Sequence, residues 1–337
     1  MPSAAGWQHA GPRTDTPMPA LPSPPPCRAI AVVGAGAVGS WFGGLLALAG
    51  QRVTLIGRLP HVQAVRQHGL QMQRADGART AHPGASTELG AVQGADLVLV
   101  CVKCGDTEAV AQALAPRLDA DALVLSLQNG VENVATLQRH LHQAVLPAVV
   151  YAATALPAPG VVQHFGGGEI VIGAAGANDP ALDGRLQAVA AAFAAAGVAV
   201  RVSPGVMAEL WAKLVVNCAV NAVSALTQAR YAQMAALPAV QALQDAALQE
   251  AVAVARAEGH DLAPDTLRAA VARVAATMPA QRSSTAQDLA RGRATEIQHL
   301  NGHVVRRGAA WGIATPVNQA LTALVQLAET TRATAGG

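Results

Sequence analysis

The chain has 337 residues, of which 52% are hydrophobic and 13% charged, with a formal net charge of +2. That length allows two domains, each with its own core. The composition excludes a disordered interaction protein, and the charge is too small to make nucleic acid the partner. No uninterrupted apolar run reaches the roughly 18–20 residues of a membrane span, so no membrane association is expected.

Residues 1–27 hold eight of the 20 prolines and no apolar h-region. They read as a disordered leader outside the fold and not as a signal peptide. From Ala29 the order becomes strand, glycine turn, helix, strand: "AIAVV", "GAGAVG", "SWFGGLLALAG", "RVTLI". The turn carries G-x-G-x-x-G over Gly34, Ala35, Gly36, Ala37, Val38 and Gly39. In that context the first glycine permits a tight turn and the second lets backbone approach a pyrophosphate. The third packs helix against strand, and the helix N-terminus faces the anion. An NAD site usually follows its second strand with Asp or Glu; this chain has Gly57 and then Arg58. A guanidinium there matches a 2′-phosphate, so the expected cofactor is NADP(H).

"LQMQRADGARTAH" reads as a hairpin turning at Asp76–Gly77. "LVLVCVK", "ALVLSL" and "AVVY" alternate with Ala-rich helical stretches, the form of a parallel sheet covered on both faces. Lys103 ends one of these strands, where such sheets bind ligands. A second hairpin is expected within "GVVQHFGGGEIVIG". The cysteines Cys27, Cys101, Cys104 and Cys218 contain a lone C-x-x-C, which reads as reduced thiols in a cytoplasmic protein.

After "GVAVRVSPG" the strand signals stop and every segment reads as helix, the last with Thr315 as N-cap and Pro316 at the first helical position. The expected domains are therefore 28–204 and 205–333. In "LWAKLVVNCAVNAVSAL", 210–226, Lys213, Asn217 and Asn221 recur every four residues on one helix face. A solvent face would carry Glu, Lys and Arg, so an amine with two amides among Ala, Val and Leu points to a cleft wall. His299 and His303 share i, i+4 spacing without an obvious further ligand, so no metal is expected. Gly302 admits a close helix contact, either inside the chain or between the chains of a homodimer.

"GAGAVG", "VCVK", "LQNGVEN", "ELWAKLVVNCAVNAVSAL" and "SSTAQDLARGRATEIQHLNGHVV", in that order, make residues 28–330 similar to the ketopantoate reductase (2-dehydropantoate 2-reductase) family. The resemblance implies an α/β Rossmann-type N-terminal domain and an all-α C-terminal domain like that of 6-phosphogluconate dehydrogenase. NADPH and a small 2-keto acid would meet in the cleft between them. It further implies Lys213 as the catalytic lysine and Glu296 as the glutamate near the substrate hydroxyl and nicotinamide ribose. Asn217, Asn221 and Ser284 would hold the substrate, and Lys103 and Asn129 would line cofactor and cleft. Tyr231 stands where some members place another substrate-contacting Asn. The expected reaction is ketopantoate to (R)-pantoate in pantothenate biosynthesis. Alternatives are a D-2-hydroxyacid dehydrogenase acting on a branched or aromatic 2-keto acid, and a non-catalytic NADP-binding sensor.

Overall fold

The computed structural model describes Cys27, residues 29–176 and residues 180–335. The leader expected over 1–27 lies outside the described residues except for Cys27, which is not free of the fold: it is buried in the core beside Ile30 and Leu97.

The first half runs β1 (Ala29–Val33), α1 (Ala37–Leu48), β2 (Arg52–Ile56), α2 (Leu59–His68), β3 (Leu70–Arg74), β4 (Gly77–Ala81), β5 (Gly84–Ser86) and β6 (Leu97–Val100). It continues through α3 (Thr107–Leu114), β7 (Leu123–Ser126), α4 (Asn133–Gln138), β8 (Ala144–Ala158), β9 (Val161–Ile172), α5 (Pro180–Ala195) and β10 (Val200–Val202). Six strands lie in the order β5-β2-β1-β6-β7-β8, all parallel. Period-2 geometry sends alternate side chains to opposite faces. Ile30 and Val32 of β1 enter one core with Phe42 and Leu46, while Ala31 and Val33 enter the other with Ala111 and Leu114. A strand buried on both faces must be apolar throughout, which is why "AIAVV" has no polar position. The strand order reverses between β1 and β6, and ligands bind such sheets at that reversal.

The sheet is not parallel throughout. β3 and β4 form the expected hairpin, Arg74 opposite Gly77, and β3 extends the sheet beside β9. The second hairpin lies elsewhere than the sequence suggested. "VVQHFGGGEIVI" is one strand, β9, antiparallel to β8, and the chain reverses at Pro159–Gly160 with Ala158 opposite Val161. Gly166, Gly167 and Gly168 all have positive φ beside shifts in register, so they form an irregular bulge within the strand and not its turn. A Cβ on Gly167 would stand 2.0 Å from the Tyr151 carbonyl oxygen, so no other residue fits.

The second half is helical: α6 (Val206–Thr227), α7 (Tyr231–Ala235), α8 (Pro238–Ala257), α9 (Pro264–Thr277), α10 (Ser284–Ala290), α11 (Asn301–Trp311) and α12 (Pro316–Ala335). α6 is its axis, packed by α8, α9, α10 and α12. By length and composition α6 alone among the described helices could cross a membrane, yet 61% of its apolar window is buried inside the protein. α12 begins at Pro316 as expected, with the Thr315 carbonyl accepting from Gln319 N. The free N–H groups of Val317 and Asn318 go to the Glu250 carboxylate of α8, each at 2.9 Å, which anchors the last helix to the core. At Gly302 the near atoms belong to the turn just before α11 and not to a facing helix: a Cβ there would lie 2.8 Å from Gln298 Oε1.

Candidate active site

The two halves enclose a cleft of about 1980 Å³. At one end lies the glycine turn after β1. Gly34 has φ +99°, and a Cβ on it would come within 2.6 Å of Val102 N. A Cβ on Gly39 would meet the Gly34 carbonyl oxygen at 2.3 Å and Val32 at 2.9 Å, so its bare Cα is what lets α1 pack on β1. Gly36 is different: nothing stands within 4 Å of its Cβ position, which opens on the cleft. The first helical bond runs from Ser40 N to Gly36 O. The N–H groups of Ala37, Val38 and Gly39 thus start α1 without backbone partners among the described residues. The first turn holds no acidic residue and no side-chain cap. An anion fits this cradle by shape and by charge. Arg58, exposed at the start of α2, lines the same end of the cleft.

Across the cleft, α6 presents Lys213, Asn217 and Asn221 in one line. Lys213 Nζ donates to Asn129 Oδ1 at 3.0 Å and to the Val150 carbonyl at 2.6 Å. An ammonium has three N–H donors, so one is left for a ligand in the cleft. Burial lowers the Lys213 pKa to about 8, against the opposing pull of Glu296. Asn217 is half-buried and Asn221 buried, both on the cleft wall.

Glu296 is not an exposed helix residue: it is 7% accessible, at the head of the short turn Ile297–His299. Its Oε2 accepts from Asn129 Nδ2 at 3.1 Å, and its Oε1 from Cys104 N at 3.1 Å. Burial raises its pKa, but Lys103 and these donors outweigh burial and keep the carboxylate ionised. Asn129 therefore joins Lys213 on one side to Glu296 on the other. It is placed there by the loop after β7, where Gly130 takes φ +82°.

Lys103, expected to end a strand, lies three residues past β6 in the loop that leads into α3; it reaches over the cleft to Asp288 Oδ2 at 2.5 Å and lies 3.7 Å from Glu296 Oε2. Burial disfavours its charge, but the two carboxylates raise its pKa on balance. Ser284 opens α10 and faces the cleft; the cap of that helix is its neighbour Ser283, whose Oγ accepts from Ala286 N at 3.0 Å.

A family model described as "Ketopantoate reductase PanE/ApbA" matches residues 30–177, and its C-terminal companion matches residues 205–329. The chain is 39% identical over 304 residues to a 2-dehydropantoate 2-reductase of Halobacterium salinarum, covering 89% of this chain and 98% of that one. The chain belongs to the ketopantoate reductase family. Among solved structures it is similar to a PanE/ApbA family ketopantoate reductase from Ralstonia eutropha JMP134, with TM-score 0.83 and 50% identity over 90% of this chain and 99% of that one. It also resembles a D-mandelate dehydrogenase in complex with NADH and anilino(oxo)acetate, with TM-score 0.84 and 26% identity over 90% and 98% of the two chains.

This ketopantoate reductase family member places two further groups at the site that the sequence motifs did not bring forward. Asp288 lies one turn beyond Ser284 on α10, and that i, i+4 spacing was the signal for it. Burial raises its pKa, partly offset by Lys103. Cys104, read from sequence as a reduced thiol, is free and buried, with Sγ 3.0 Å from both Glu296 Oε1 and the Asn129 carbonyl oxygen. Burial and the adjacent Glu296 keep that thiol protonated. Tyr231 opens α7 on the cleft, and burial pushes its phenol up to about 12, so it stays neutral. His299 and His303 gather on Glu132, which also takes an ion pair from Arg306 at 2.9 Å, so this cluster ties the two halves together beside the cleft.

Proposed function

We propose that the protein is an NADPH-dependent 2-dehydropantoate 2-reductase, reducing the ketone of a small 2-keto acid to the (R)-alcohol. The observation that carries the reading is the Lys213 amine, held by Asn129 in the cleft opposite the glycine cradle, with its pKa lowered to about 8. When bound, the dihydronicotinamide supplies the hydrogen and electron pair that reach the ketone carbon. The N-terminus of α1 and Gly36 hold the pyrophosphate, and Arg58 pairs with the 2′-phosphate. Lys213 donates its free N–H to the ketone oxygen, stabilises the charge that develops there, and delivers the proton that completes the alcohol. Asn129 fixes the direction of that amine. Asn217 and Asn221, one and two turns along α6, offer donors and acceptors to the substrate's other oxygens, and Ser284 does so at the carboxylate side. Glu296 holds Asn129 in place and faces the substrate hydroxyl.

A second reading keeps the chemistry and changes the side chain. The buried Tyr231 phenol on the cleft wall favours a bulkier, aromatic 2-keto acid, in line with the anilino(oxo)acetate bound by the D-mandelate dehydrogenase it resembles. Oxidation of NADPH and NADH with a panel of 2-keto acids separates the two. Ketopantoate preferred with NADPH supports the first reading, an aromatic substrate the second. No turnover with any of them leaves a dinucleotide-binding protein without this chemistry.

A further inference from the structure

Behind the glycine cradle, three segments distant in sequence meet through one chain of hydrogen bonds. The backbone N–H of Gly160, in the turn between β8 and β9, donates to His61 Nδ1 at 3.0 Å. His61 Nε2 lies 3.1 Å from Ser40 Oγ, and Ser40 Oγ lies 3.2 Å from the Ala35 carbonyl oxygen. The direction of every proton in this chain is determined. A backbone amide only donates, so Nδ1 is the acceptor and the neutral ring carries its proton on Nε2. Nε2–H then donates to Ser40 Oγ, and the Ser40 hydroxyl is left to donate to Ala35 O. Ser40 is wholly buried and His61 nearly so, and burial keeps the imidazole neutral, as the chain requires.

The last acceptor is the atom that matters for the cradle. Were α1 to begin a residue earlier, the Ala35 carbonyl would take the Gly39 N–H, four residues on; instead the N-cap Gly36 is extended and turns that carbonyl outward. Here it takes the Ser40 hydroxyl, and the Gly39 N–H has no backbone partner among the described residues. We propose that His61 and Ser40 are positioning residues for the cofactor: they hold the Ala35 carbonyl away from the start of α1, so that its N–H groups stay free for the pyrophosphate. The geometry also makes the β8–β9 turn, through Gly160, a support of the cradle. This inference rests on the reading that the cradle takes a dinucleotide.

The test is NADPH binding to the full-length protein, followed by nucleotide fluorescence, together with steady-state kinetics. Ser40→Ala removes the donor to Ala35. His61→Asn places its amide near Nδ1 and keeps only the Gly160 contact, whereas His61→Gln reaches the Nε2 position and keeps the donor to Ser40. One buried hydrogen bond corresponds to a roughly three- to tenfold change in affinity. Ser40→Ala and His61→Asn are expected to raise the Kd and KM for NADPH by about that factor, with kcat at saturating NADPH maintained. His61→Gln is expected to stay within about twofold of the wild type. Wild-type binding of NADPH with all three variants alike, or with Gln and Asn equally impaired, overturns the positioning role alone. A wild-type protein that binds no NADPH overturns the dinucleotide reading and this inference with it.

Discussion

The Lys213 ammonium lies 3.0 Å from Oδ1 of Asn129, a residue 84 positions earlier in the chain and on the opposite wall of the cleft. The other end of the same amide donates to Glu296 at 3.1 Å. An acid, a neutral bridge and a carboxylate thus stand in series, and each sets a property of the next.

The first consequence is a pH profile. An ordinary lysine stays charged past pH 10, but burial brings Lys213 to about 8. Below that value the amine holds the proton that the proposed mechanism has it donate. As pH rises through about 8 the proton is lost from the free protein, and kcat/KM is expected to fall about tenfold per unit thereafter. A flat kcat/KM profile between pH 7 and 9.5 would separate Lys213 from the proton transfer.

Glu296 tunes that limb. Its negative charge raises the Lys213 pKa, and Glu296→Gln removes the charge while leaving a polar group in place. The alkaline limb of the Glu296→Gln variant is therefore expected below that of the wild type, with kcat lowered. A limb that moves upward would contradict this arrangement of charges.

The cradle glycines separate folding from binding. Gly34→Ala forces a side chain onto φ +99° and against Val102 N at 2.6 Å, at a cost on the order of 1–3 kcal/mol in strain alone, so a lower Tm is expected. Gly36→Ala meets nothing in the protein and is expected to keep the wild-type Tm while raising the Kd for NADPH at least roughly tenfold. Calorimetry and cofactor titration of the two variants check this; wild-type affinity in Gly36→Ala would mean that the pyrophosphate lies elsewhere.

Arg58, proposed to pair with the 2′-phosphate, is the residue expected to separate NADPH from NADH. Arg58→Ala is expected to raise the KM for NADPH roughly tenfold or more and to leave that for NADH within about twofold, because only one of them carries a 2′-phosphate. Equal changes for both would remove the pairing.

Local patterns carried much of this architecture. The glycine motif stands between an all-apolar strand and a helix; Gly34 and Gly39 are hemmed in by neighbouring atoms, while Gly36 opens on the cleft. The Lys213, Asn217 and Asn221 line followed from helical spacing alone, because all three sit on one uninterrupted helix. What sequence could not supply was long-range. Asn129 as a bridge depends on residues 84 positions away on one side and 167 on the other. Asp288 meets Lys103 across 185 positions. The hairpin expected within "GVVQHFGGGEIVIG" was misplaced because glycine tolerates positive φ in turns and bulges alike, and only the pairing of β9 with β8 decides between them. The place of Cys104 at the site was hidden for a related reason: its spacing from Cys101 says nothing of its partner Glu296, which lies 192 positions on.

The most direct test of the account is the Lys213→Ala variant, measured for turnover of its best 2-keto acid and, separately, for NADPH binding. Turnover is expected to fall by roughly 10²- to 10⁴-fold while NADPH still binds as in the wild type. Turnover that survives within a few-fold of the wild type would show that Lys213 is not the proton donor and contradict the mechanism.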